Sequence, residues 1–191
     1  MSRPDPMGEH LIEFLRVDSR LIHGQIVEGW LKFIAIDEVL IIDDFVKESP
    51  FEKKILRFAL PLNIDLEILS VHMAAQRWAD ISASSKRFFI LLQSVDMLSR
   101  LHECLAPLRA AGSPSPAQKT PPVNIGLINF TDSKEALTNS VYLDMREKKQ
   151  LSDMLEAGVE IFVQTLPSNE KTPIGALLER LQNFEKGELN E

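Results

Sequence analysis

Short apolar runs alternate along this chain with stretches in which apolar residues recur every three or four positions. Leu11-Ile12-Glu13-Phe14-Leu15-Arg16-Val17 is the first run; it is rich in strand formers, is closed by the polar triplet Asp18-Ser19-Arg20, and predicts a β-strand. Beyond Gly24, the residues Ile26, Val27, Trp30, Leu31 and Ile34 keep the spacing of a helix buried along one face. The alternation continues through Glu38 to Ile42, Phe51 to Leu60, Ile64 to Leu69, Ala74 to Trp78, Arg87 to Leu92 and Val95 to Leu108. This is the rhythm of β-α-β units. It predicts an α/β fold: a single domain with a mostly parallel, doubly wound sheet and helices on both faces. In such a sheet ligands bind outside the carboxyl ends of the strands, above all where the strand order reverses.

Ala111 to Pro122 is dense in proline and small residues, cannot continue a helix, and predicts an exposed connection over residues 111–122. A strand from Val123 to Ile128, a helix around Arg146 to Ala157 stopped by Gly158, and a strand from Val159 to Leu166 then resume the sheet. Between them, Asn129 to Val141 is polar with weak periodicity and predicts a solvated loop. Residues 1–10 form a polar leader without an apolar core of signal-peptide length, so the folded domain is expected over residues 11–186. No apolar stretch is long enough to span a bilayer.

The first turn carries the chemistry. His23 lies just beyond a predicted strand's carboxyl end and just before a helix start, where unpaired backbone N–H groups and the helix dipole stabilise an anion. Arg20 adds a guanidinium able to hold two phosphate oxygens at once. Gly24, without a Cβ, lets the backbone come close to a bulky ligand. Asp18 has two readings: a carboxylate that orients the imidazole by bonding one ring nitrogen, or a loop cap bonding its own backbone. Arg20 could equally be an ordinary ion-pair partner of Asp18, Gln25 a plain first-turn residue, and Trp30 a packing residue with a polar edge. A free imidazole titrates near about pH 6.5, so a neutral ring nitrogen serves as nucleophile at cytosolic pH.

Arg16-Val17-Asp18-Ser19-Arg20-Leu21-Ile22-His23-Gly24-Gln25-Ile26-Val27 closely resembles the R-[IV]-D-x-R-L-I-H-G-Q-[VI] signature of the mannose/sorbose-type (mannose-fructose-sorbose family) enzyme IIB of the bacterial phosphoenolpyruvate-dependent sugar phosphotransferase system. The similarity continues through Trp30, Ile41-Ile42-Asp43-Asp44 and Ser140-Val141-Tyr142-Leu143-Asp144. The resemblance implies a protein-N-phosphohistidine–sugar phosphotransferase component. Its His23 would accept a phosphoryl group, at Nδ1, from phosphorylated enzyme IIA and pass it to a sugar carried by the membrane IIC/IID permease. Asp18 and Arg20 match the family's aspartate and arginine. Gly24 and Gln25 fall in the phosphoryl-binding turn. The family often carries a lysine in the region of Lys134, which would point a charge to the same edge. Where the family has an N-[VIL]-G-G-[MI]-H-like turn, this chain reads Asn124-Ile125-Gly126-Leu127-Ile128-Asn129, with leucine in place of the second glycine.

Composition narrows the alternatives. A chain of 191 residues with 45% hydrophobic content suits one packed domain. Lys+Arg 21 against Asp+Glu 28 gives a formal charge of −7, which disfavours a nucleic-acid partner; a phosphocarrier needs only local positive charge. Cys104 is the only cysteine, which excludes an internal disulfide, suits the reducing cytoplasm and reads as a buried structural thiol. His10, His72 and His102 lack the surroundings of His23, and no cysteine or histidine spacing suggests a metal. No cofactor is expected. The expected location is cytoplasmic, with membrane contact only through permease partners, and a homodimer stays open. Two rivals remain: a regulatory phosphocarrier without a permease, and a binding module that keeps the fold without the chemistry.

Overall fold

The computed structural model describes residues 12–110 and 120–188. The leader at 1–10 and most of the proline-rich connection therefore lie outside the described residues. Strand β1 (Ile12–Asp18) is followed by a π-helix (Gln25–Trp30) that runs directly into α1 (Leu31–Phe33). Next come β2 (Glu38–Ile42), α2 (Asp44–Glu48), α3 (Pro50–Ala59), β3 (Asp65–Leu69), α4 (Val71–Gln76), α5 (Trp78–Ala83), β4 (Phe88–Leu92) and α6 (Val95–Ala110). The second half holds β5 (Val123–Leu127), β6 (Glu135–Ala136), β7 (Tyr142–Leu143), α7 (Met145–Glu156), β8 (Ile161–Val163), β9 (Thr172–Pro173) and α8 (Ile174–Glu188).

The main sheet runs β3-β2-β4-β1-β5-β8-β9, parallel throughout except for β9, while β6 and β7 form a separate antiparallel ribbon. From β1 the chain builds outward to β3, returns to β4, and then crosses β1 to reach β5 on the other side. The loop after β1 thus opens at the reversal of strand order, as the doubly wound reading requires.

Period-two alternation sends successive residues of each buried strand to opposite faces. Val39, Ile41, Phe89 and Leu91 pack with Ile26, Trp30, Val46 and Leu56 on one side. Leu40, Ile42, Ile90 and Leu92 meet Trp78, Leu98, Leu101 and Leu151 on the other. Each such fully buried side chain contributes about 1.5–3 kcal/mol by removal from water, so the two layers supply most of the driving force. Helix ends are capped by the residue types that do so in isolation: Asp43 on α2, Ser49 with Pro50 on α3, Ser70 on α4, and an Asp144–Glu147 capping box on α7. Gly158, at φ +83°, ends α7 in a Schellman turn: its N–H reaches Leu155 O at 2.9 Å and that of Val159 reaches Met154 O at 3.0 Å.

Four expectations need correction. The helix after Gly24 begins with π-helical geometry, Leu31 N–H bonding Ile26 O five residues back, with Ile26 and Trp30 both buried. The loop predicted for Asn129 to Val141 contains β6, which pairs with β7, and ends on Val141, fully buried and bridged to Ile128. The strand predicted from Val159 to Leu166 is confined to Ile161–Val163, since Gln164 and Thr165 turn their carbonyls to side chains instead of a neighbouring strand. Cys104 is exposed rather than buried. The outer side of α3 and the turn after it also leave Phe51, Ile55, Phe58 and Leu62 exposed in a stripe.

Candidate functional site

Alternation along β1 points Leu15 and Val17 to one layer of the core and Arg16 and Asp18 to the other, under the π-helix. Arg16 and Asp18 are both completely buried. Arg16 Nη2 donates to Asp18 Oδ2 at 3.0 Å and to Thr165 O at 3.1 Å. Its Nη1 donates to Asn124 Oδ1 and, at 2.9 Å, to Gln164 O. The guanidinium lies 5.0 Å above the Trp30 ring, whose Nε1–H donates to the same Thr165 O at 3.0 Å. Burial pulls the arginine below its ordinary value while the charge of Asp18 and its hydrogen bond oppose that shift. Gly126 makes the room: a Cβ there would fall 2.0 Å from Nη2.

Beyond β1 the chain reverses in a tight turn in which Leu21 N–H bonds Asp18 O at 3.0 Å. Leu21 takes a left-handed backbone, φ 54°, while its side chain is buried beside Ile22, Ile26 and Phe89. That conformation costs a non-glycine residue about 1–2 kcal/mol, which the packing of the leucine side chain offsets. The turn presents His23 with its ring across Asp18. Nε2 lies 3.1 Å from Asp18 Oδ2, and Nδ1 accepts the backbone N–H of Gln25 at 3.3 Å. Asp18 Oδ1 takes the N–H and, at 3.4 Å, the Nε of Arg20. Burial pushes the Asp18 carboxyl up, but its hydrogen bond to His23 and the charge of Arg16 outweigh this and hold it below the ordinary carboxylate range.

Each residue singled out from sequence now has a position. His23, Asp18, Arg20 and Gln25 come together, Arg20 Nη2 donating to Gln25 Oε1 at 2.7 Å while its guanidinium stays partly exposed. The carboxylate of Asp18 bonds both the ring of His23 and a backbone N–H of its own turn. Gly24 has right-handed helical backbone and open space where a Cβ would stand, so protein packing does not demand a glycine there. The ammonium of Lys134 bonds Glu147 Oε1 at 2.8 Å, at the first turn of α7. His72 bonds Gln76 at the start of α4, beyond β3, three strands from β1 or about 14 Å at the usual ~4.8 Å spacing. Sequence reasoning missed Arg16 and Asn124 as members of the site; the signal was a charged residue inside an otherwise apolar run. Leu127, the departure from the family's glycine, is half-exposed, and its carbonyl accepts Ser19 N–H at 2.9 Å.

Fold and site together define a class: a doubly wound α/β protein that presents a hydrogen-bonded histidine and an arginine at its switch point. The chain belongs to a family within that class, the one described as "PTS system sorbose subfamily IIB component", whose profile matches residues 12–188. It is 28% identical over 173 residues to a probable phosphotransferase enzyme IIB component of Streptococcus pyogenes, covering 88% of this chain and 99% of that one. It is 26% identical over 170 residues to an N-acetylgalactosamine-specific phosphotransferase enzyme IIB component of Escherichia coli, covering 85% and 96%. The crystal structure of manxB from Thermoanaerobacter tengcongensis superposes with a TM-score of 0.74 at 26% identity, over 90% of this chain and 98% of that one. Membership makes the chain a transferase component of a sugar phosphotransferase system, a family that acts with IIA and IIC/IID partners. No helix among the described residues is long and apolar enough to cross a membrane.

Proposed function

We propose that His23 accepts a phosphoryl group on Nδ1 from the phosphohistidine of a IIA partner and delivers it to a sugar carried by a IIC/IID permease, in the cytoplasm at the membrane face. The observation that carries this reading is the opposed pair of contacts on the ring. A carboxylate that already accepts from two arginines has only acceptor capacity left for Nε2, so Nε2 keeps its proton. Nδ1 accepts the Gln25 N–H, so it carries the unprotonated lone pair, which that N–H releases as it turns to a phosphoryl oxygen. That lone pair attacks phosphorus; the N–P bond to the donor imidazole breaks, and its electrons stay with the donor. The proton on Nε2 remains, and the resulting phosphoimidazolium is stabilised by Asp18. Arg20, the Gln25 N–H and the space beside Gly24 serve the phosphoryl oxygens. Lys134 is engaged elsewhere.

Incubation with phosphoenolpyruvate, the general phosphotransferase proteins and a matching IIA should place acid-labile phosphate at one site. His23→Ala abolishes the label, and uptake of label by that variant sinks the reading. Arg20→Ala slows uptake by about tenfold while leaving the fold intact. Adding permease membranes with sugar should discharge the label. Label retained with every permease and sugar tried identifies a regulatory phosphocarrier instead.

A further inference from the structure

We propose that Arg16 is a positioning residue of this site: acting through Asp18, it holds His23 as the Nε2–H tautomer and so keeps Nδ1 free to attack. The inference rests on the reading of His23 as phosphoryl acceptor. The loop's own Gln25 N–H faces Nδ1, but the contact that sets the charge of the carboxylate at Nε2 comes from beneath the loop. Asp18 Oδ2 is shared, lying 3.0 Å from Arg16 Nη2 and 3.1 Å from His23 Nε2, so one oxygen links the buried guanidinium to the ring. Arg20 reaches the other oxygen, Oδ1, and from a partly exposed position. Arg16, by contrast, is 0% exposed, and its fork is spread over four oxygens from β1, β5 and the turn after β8.

A buried ion pair is a poor choice for stability alone, because apolar residues of the same volume are commonly as good or better. The molecule nonetheless reserves a glycine for this guanidinium, since any Cβ at position 126 would strike Nη2. The structural expense is explained if the carboxylate must stay ionised. Without Arg16, a carboxyl buried under the π-helix favours its neutral form. A protonated Asp18 donates to Nε2, which forces the ring proton onto Nδ1 and blocks the attacking lone pair. Among the described residues, the charged groups in the hydrogen-bond network of the ring are Asp18 and Arg16 from β1 and Arg20 from the turn; the π-helix contributes the uncharged Gln25.

The test is ¹⁵N NMR of the His23 ring in the full, unphosphorylated chain, paired with phosphoryl uptake from IIA. Wild type should show Nε2 protonated and Nδ1 bare. Arg16→Met should move the ring toward the Nδ1–H tautomer and slow uptake by about tenfold or more, with Arg16→Lys, which keeps the charge, restoring part of both. An unchanged tautomer in Arg16→Met overturns the proposal. Should Arg16→Met fail to fold, the double variant Arg16→Met/Asp18→Asn, which leaves neither charge of the buried pair, is compared with Asp18→Asn, which keeps Arg16. If Arg16 works through Asp18, these two share one ring titration curve, and a further shift in the double variant overturns it. Because the ring signals need no phosphate, a tautomer that follows Arg16 in a protein that never takes label would refute the phosphoryl reading and leave the positioning intact.

Discussion

The buried carboxylate of Asp18 gathers three contacts on one residue: it pairs Arg16, meets the His23 ring and accepts the N–H of Arg20 in the turn. Its folded acidity has a measurable consequence. A carboxyl held below its unfolded value of about 3.9 contributes stability that is fully present above that pH and is lost as pH falls through the lower folded value. Urea midpoints should therefore fall as pH drops below about 4, and Asp18→Asn should flatten that acid limb while lowering stability by about 3–5 kcal/mol at neutral pH through the unpaired Arg16. An Asp18→Asn protein with the wild-type acid limb would assign the effect to other carboxylates. Gly126→Ala is the complementary probe. Its methyl would stand 2.0 Å from the guanidinium, so it should cost about 1–3 kcal/mol by overpacking, read as a lowered urea midpoint at unchanged slope.

At the scale of elements, the end of α7 shows what the pattern of residues makes legible. Gly158 follows the last helical position, and the structure puts it at positive φ in the Schellman turn that such a placement predicts. Nothing lies within 4 Å of a Cβ there, so Gly158→Ala isolates the backbone term and should lower stability by about 1–2 kcal/mol in thermal or urea melts. The buried strands were equally readable, because β2 and β4 are continuous apolar runs bounded by polar residues. The ribbon of β6 and β7 was hidden, since Glu135-Ala136 carries no strand signal and owes its form to pairing with Tyr142-Leu143. The π-helical start was hidden too. Its apolar spacing fits an ordinary helix, so the order of residues carries no sign of the wider turn. In the site, the histidine loop was legible because its members are neighbours in sequence; the partners of Arg16 were not, because Asn124 and Gln164 lie 108 and 148 residues away.

Over the whole molecule, stability and surface are separable on the outer side of α3. Phe58 is 89% and Leu62 94% exposed, so neither contributes appreciably to the core. Phe58→Ser and Leu62→Ser should leave the unfolding free energy within about 0.5 kcal/mol of wild type, and a larger loss would show that the stripe is covered in solution. The reach of Arg16 has a different kind of consequence, one of timing. The histidine loop spans a handful of consecutive residues, yet the guanidinium beneath it is held by β5 and by the carbonyls after β8. Closing contacts so distant in sequence is the slow, entropically costly part of folding. The loop can therefore turn early, but its carboxylate gains its counter-ion's final setting only once the far half of the sheet has docked. A chain halted before β5 carries every residue of the signature and lacks the site.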